Sequence, residues 1–141
     1  MSNVESVGPA SEARVRVRYA ETDQMGVVYH SNYLIWFEVG RVELIRGMGF
    51  DYKQMEEEGC GIAVVDVHAR YKAPARYDDE LVIETRLLAA RGAVIKFGYR
   101  ILREGALLCE GETLHVCVGK DMKKMCLPPK YAERFAARLI S

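Results

Sequence analysis

Three residue types that could do chemistry stand close together in residues 19–30, Tyr-Ala-Glu-Thr-Asp-Gln-Met-Gly-Val-Val-Tyr-His: the carboxylate of Asp23, the backbone freedom of Gly26 and the imidazole of His30. They read as one loop that follows a strand and runs directly into the most apolar helical stretch of the chain. A helix start offers backbone N–H groups with no intrahelical acceptor and a partial positive charge, an arrangement that binds a developing oxyanion. A carboxylate held beside it can attack a carbonyl polarised there, or take a proton from water that does so. The same residues also have plain structural uses. Asp23 suits a turn or a helix entry, His30 suits a cap region, and Gly26 suits a backbone turn that a side chain would strain.

The elements that must position this loop follow from periodicity. Ala13, Val15, Val17 and Tyr19 alternate with Arg14, Arg16 and Arg18, which predicts a half-buried strand with Tyr19 facing the core and the arginines solvated. After the loop, Leu34, Phe37, Arg41, Leu44, Ile45 and Met48 recur at helical spacing, and Ile35, Trp36, Val39 and Val42 widen that face. The spacing predicts a helix over 32–48, capped by Ser31 or Asn32 and apolar on nearly every side, hence buried. Glu38 and Arg41 are expected to pair on its surface.

Downstream, Ile62–Tyr71 is expected as a strand with Ala63, Val65, Val67, Ala69 and Tyr71 inward. Leu81–Leu88, Val94–Leu102 and Ala106–Gly119 follow as strands joined by short turns, with Ile95, Phe97, Tyr99 and Ile101 on one face. Pro128-Pro129 opens a last helix whose stripe is Ala132, Phe135, Ala136 and Leu139. One long apolar helix among antiparallel strands predicts an α+β fold, a curved sheet of about five strands wrapped around that helix. The open sheet edge and uncovered face predict a homo-oligomer.

The 141 residues suffice for one domain with a core; residues 1–12 read as a disordered tail and 13–141 as the domain. Twenty basic residues cancel twenty acidic ones, so no global field favours nucleic acid or a membrane surface. No run approaches a membrane span, and residues 1–12 lack the basic-then-apolar order of a signal peptide, which gives the expectation of a cytoplasmic protein. Cys60, Cys109, Cys117 and Cys126 form no Cys-x-x-Cys pair and do not cluster with the histidines; free thiols and no structural metal are expected.

The pattern Tyr-x-x-x-Asp-x-x-Gly-Val-Val-Tyr-His-x-x-Tyr with Glu38 and Arg41, and the later Tyr71–Leu81 stretch Tyr-Lys-Ala-Pro-Ala-Arg-Tyr-Asp-Asp-Glu-Leu, resemble the hotdog-fold acyl-CoA thioesterases. The branch they resemble is the 4-hydroxybenzoyl-CoA thioesterase family, in particular its Tol–Pal-associated short-chain acyl-CoA members. The resemblance covers nearly the whole chain after the tail. It implies a hotdog fold, dimers or tetramers (dimers of dimers) with sites at subunit interfaces, and hydrolysis of an acyl-CoA without metal or cofactor. It implies Asp23 as the catalytic carboxylate with Tyr19 and His30 beside it, and the backbone N–H groups of His30 and Ser31 as oxyanion donors. Arg70, Lys72, Arg76 and Arg91 are candidates for holding CoA. A carboxylate on the helix, Glu38 or Glu43, is the second choice for nucleophile. The competing reading is a non-catalytic hotdog protein that binds acyl-CoA or lipid.

Overall fold

The computed structural model describes residues 8–140. In chain order it contains strand β1 (Ser11–Arg16), a 3-10 turn (Tyr19–Glu21), helices α1 (Ser31–Arg46) and α2 (Tyr52–Glu57), strands β2 (Gly61–Tyr71), β3 (Glu80–Arg91), β4 (Val94–Arg103) and β5 (Ala106–Val118), and helix α3 (Pro129–Ile140). The strands form one antiparallel sheet ordered β1-β3-β4-β5-β2, so β1 and β2 are its open edges. Strand β1 starts at Ser11, and Gly8 N–H already donates to Leu87 O. Residues 8–12 therefore belong to the fold, and residues 1–7 of the expected tail lie outside the described residues.

The sheet cups α1. Ile83, Leu87, Ile95, Phe97, Tyr99 and Ile101 are buried against Phe37, Leu44 and Ile45 of the helix. Phe37 stacks on Tyr99 with centroids 4.3 Å apart. Gly40 is what allows so close an approach, because a Cβ there would run into Thr85 and Ile83 of β3. Helix α3 covers the remaining end, with Tyr131 and Phe135 against Phe50.

Three expectations need correction. The helix is buried on one face only: Tyr33, Trp36, Phe37, Gly40, Leu44 and Ile45 are inside, whereas Leu34, Ile35 and Glu38 face outward. A five-stranded open sheet wraps half a helix and leaves the other half uncovered in a single chain. In β2 a bulge at Val64–Asp66 resets the alternation. Ile62 pairs with inward Cys117 before it, and Val67, Ala69 and Tyr71 share that parity after it, whereas Ala63 and Val65 do not; on this open edge Val67 and Tyr71 are nonetheless exposed, against expectation, and only Ala69 is partly buried. In α3, Tyr131 joins the buried stripe and Ala136 is exposed.

Candidate active site

The approach to α1 is built by local hydrogen bonds that the residue types dictate. Strand β1 runs out at Arg16, and the chain turns. Arg18 N–H donates to Glu21 Oε1 (2.8 Å), while Glu21 N–H donates to Arg18 O (3.0 Å), which closes the 3-10 turn. This turn overturns the strand parity expected of Tyr19. Its side chain is not in the core but 76% exposed, edge-on to Tyr77. Glu21, by contrast, is buried, and its carbonyl accepts from Tyr29 N–H (2.9 Å) and Asn32 Nδ2 (3.0 Å). It thereby ties both ends of the loop to the helix.

Between those ties the loop is a tight reversal. Thr22 bridges Val28, Asp23 N–H donates to Val27 O, and Gly26 N–H donates to Asp23 O. Gly26 has φ +79° with open space around it, so the left-handed backbone, and not crowding, requires glycine there. Asp23 is half-buried, and its Oδ1 accepts from Met25 N–H at 2.8 Å. Among the described residues Oδ2 has no partner. One carboxylate oxygen is thus oriented and the other is free to react.

The helix that follows is capped differently from expectation. His30 is the N-cap residue and makes no side-chain cap bond. Asn32, the expected cap, instead spends its amide on the carbonyls of Glu21 and Tyr29. Asn32 N–H donates to Tyr29 O and Tyr33 N–H to His30 O, while among the described residues the N–H groups of His30 and Ser31 have no acceptor. These are the orphan donors of a helix start, at the positive end of its dipole. The His30 ring is exposed and packs against Tyr29 and, edge-on, Tyr71.

A second loop, residues 72–79, braces the first. Ala75 O accepts from Val28 N–H (2.9 Å), and Ala75 N–H donates to the Tyr33 hydroxyl (3.0 Å). Asp79 fixes this loop by accepting from Arg103 (2.8 Å) and from Arg76 N–H (2.9 Å). Burial alone would raise its pKa; those donors hold it below the usual carboxylate value. Arg76 consequently sits one residue from the contact between the two loops. Arg70 lies on the outer face of β2, beside a depression of about 440 Å³ that Arg86, Arg100 and three glutamates share. Lys72 follows β2 and is exposed. Arg91 does not join them. It is the last residue of β3, seven residues along the strand from Glu84, whose row of partners crosses β4 and β5 to Arg70, so about 23 Å along the strand separates it from that row.

The other candidates also separate. Glu43 pairs with Arg46. Arg41 does not pair with Glu38 but points inward and donates to the Tyr99 hydroxyl (3.4 Å), which bonds Thr113 (2.5 Å), which bonds His115 Nε2 (2.8 Å). His115 is fully buried; burial, then the Arg41 charge, push its pKa down to about 4. His68 is exposed on the outer face. All four cysteines are free. Among the described residues no three His, Cys, Asp or Glu side chains converge as for a metal ion. No helix of the described residues is long and apolar enough to cross a membrane.

Sequence reasoning does not find how the site is held together: Asn32 is expected as a cap and Tyr71 as an inward strand residue, and Glu21 and Tyr33 have no assigned role. Polar side chains bonded to backbone carry no periodic signal. Only the density of tyrosines and amides on either side of Asp23 and Pro74 hinted at them.

An open antiparallel sheet cupping one helix, with a carboxylate loop at the start of that helix, defines a hotdog-fold protein. The chain belongs to the thioesterase-like superfamily, whose family model matches residues 17–138. It is 44% identical over 115 residues to YneP of Bacillus subtilis (strain 168), an alignment spanning 81% of this chain and 83% of that protein. It is 39% identical over 123 residues to the acyl-CoA thioester hydrolase YbgC of Escherichia coli O157:H7, covering 86% and 92%. Its fold matches the crystal structure of the DHNA-CoA thioesterase from Staphylococcus aureus with a TM-score of 0.88 and 34% identity, over 91% of this chain and 89% of that one.

Proposed function

We propose that this protein hydrolyses acyl-CoA thioesters to free acid and CoA, with Asp23 as the reacting carboxylate and the N–H groups of His30 and Ser31 as oxyanion donors. The observation that carries it is that, among the described residues, the loop leading into α1 holds a carboxylate oxygen without a partner, Asp23 Oδ2, and, seven and eight residues on, two N–H groups without an acceptor at the helix start. The relatives' named activity on acyl-CoA agrees with that chemistry. The thioester carbonyl accepts from the helix start. Either Asp23 attacks it, giving a mixed anhydride that water then opens, or Asp23 takes a proton from the attacking water. In both routes negative charge collects on the carbonyl oxygen, where fixed donors stabilise it most. The carbon–sulfur bond breaks and CoA leaves as the thiolate. Arg76, Arg70 and Lys72 are the basic groups we assign to the CoA phosphates, and we drop Arg91 because of its distance. His30 and Tyr19 border the entry, His30 at the thioester and Tyr19 at the outer rim.

We further infer that the reaction runs without metal or cofactor and that the enzyme works in the cytoplasm, where acyl-CoA is made and free thiols persist. The assembly we propose is a homo-oligomer, a tetramer built from dimers. Supporting this are the unpaired edge of β2, the exposed Val64, Val65 and Val67 on it, and the exposed Leu34 and Ile35 on α1. Release of free CoA thiol from short, long and aromatic acyl-CoAs, before and after dialysis against chelator, tests the activity. Tight binding without any thiol release would contradict it and support a carrier or sensor instead.

A further inference from the structure

The carbonyl of His30 and the N–H of Ser31 are two ends of one peptide group, and the carbonyl end is heavily engaged. Tyr33 N–H donates to it at 3.2 Å, and so does the hydroxyl of Tyr71, also at 3.2 Å, from the last residue of β2. The Tyr71 ring is held for this contact, edge-on to Tyr33 (centroids 5.2 Å) and to His30 (6.3 Å). Burial raises its pKa, so the hydroxyl keeps its proton. The N–H end of the same peptide has no acceptor among the described residues.

We propose that Tyr71 is a positioning residue for catalysis, which orients the His30–Ser31 peptide and polarises it so that the Ser31 N–H is a stronger oxyanion donor. Hydrogen bonds along one chain reinforce each other: electron density drawn to the carbonyl oxygen leaves the amide nitrogen poorer and its proton more acidic. The effect grows with the charge on the acceptor, so it is larger for the oxyanion than for the neutral thioester and acts on kcat more than on binding. It also fixes the peptide plane, whose tilt decides where the N–H points. The residue comes from the edge strand and not from the helix, so the oxyanion donor is set by the seating of β2 against α1.

The inference rests on the reading of the His30 and Ser31 amides as oxyanion donors, and the test separates the two. Tyr71→Phe keeps the ring and its two edge contacts and removes only the hydroxyl. Loss of that polarisation, about 10–30% of what one oxyanion donor contributes, predicts a fall of about two- to sevenfold in kcat with KM unchanged. In the isotopically labelled full chain, the Ser31 amide proton is expected to move upfield in the variant, a readout that needs no turnover. A parent protein that releases no CoA from any acyl-CoA would sink the thioesterase reading. A parent that is active, with Tyr71→Phe at the parental kcat or with an unmoved Ser31 amide, overturns the role of Tyr71 alone. A rise in KM or a drop in melting temperature that accounts for the lost rate would equally reduce Tyr71 to packing.

Discussion

Gly40 of α1 and Thr85 of β3 touch where no side chain at position 40 would fit: a Cβ built on Gly40 meets the Thr85 hydroxyl and the Ile83 methyl. The helix is therefore pressed to the sheet at its middle, nine residues from the Ser31 N–H that faces the candidate site. Gly40→Ala adds a methyl to a packed contact and should cost about 1–3 kcal/mol, more than any gain in helix propensity returns. Chemical denaturation checks the stability. Because the helix must shift to make room, thioester hydrolysis should also fall, although residue 40 is far along the helix from Asp23. A variant as stable as the parent would show that the helix is not seated by this contact.

The pH dependence of folding should report His115. Its pKa of about 4 in the native state lies below the ordinary value near 6.5, because burial and then the Arg41 charge disfavour the imidazolium. Between those two values the unfolded chain binds a proton that the native protein refuses. Stability is thus fully present above about pH 6.5 and falls as pH drops toward 4, by about 3 kcal/mol in all. His115→Gln keeps a polar contact to Thr113 and removes the titration. Denaturation midpoints followed from pH 7 to 4 should slope less in the variant than in the parent, and equal slopes would assign the acid sensitivity to other groups.

His30→Ala should leave folding intact, since the ring is exposed and makes no hydrogen bond among the described residues. It preserves the backbone N–H that the mechanism uses. Hydrolysis should fall by less than the factor of about 10²–10³ that loss of an oxyanion donor itself costs. A loss beyond that range in steady-state rates would mean that the imidazole takes part in proton transfer and is not a neighbour of the thioester.

The strand–helix–four strands–helix order was legible because each element repeats its apolar residues at the period its backbone imposes. Ile95, Phe97, Tyr99 and Ile101 are all buried as their alternation requires. What failed were the places where alternation breaks. The bulge after Val64 and the 3-10 turn at Tyr19 each shift side-chain direction, and neither carries Gly or Pro to announce it. The half-exposed α1 could not be told from a fully buried helix, since the exposed Leu34 and Ile35 are as apolar as the residues that face the core. Asp23, Gly26 and His30 stood out by type and spacing. Glu21 and Asn32, which hold them in place, did so through backbone contacts that no sequence period encodes.

Asp23→Asn with acyl-CoA turnover measured is the most direct test of the account. Asparagine keeps the side-chain oxygen that accepts from Met25 N–H and suits the same turn, so the loop, the melting temperature and binding of a non-hydrolysable acyl-CoA analogue should be preserved. A neutral amide is neither a nucleophile nor a base, and kcat should drop by at least about 10²–10⁴-fold. A folded Asp23→Asn protein that hydrolyses acyl-CoA within a few-fold of the parental rate would contradict the assignment of Asp23 and turn attention to Glu38 and Glu43 on α1.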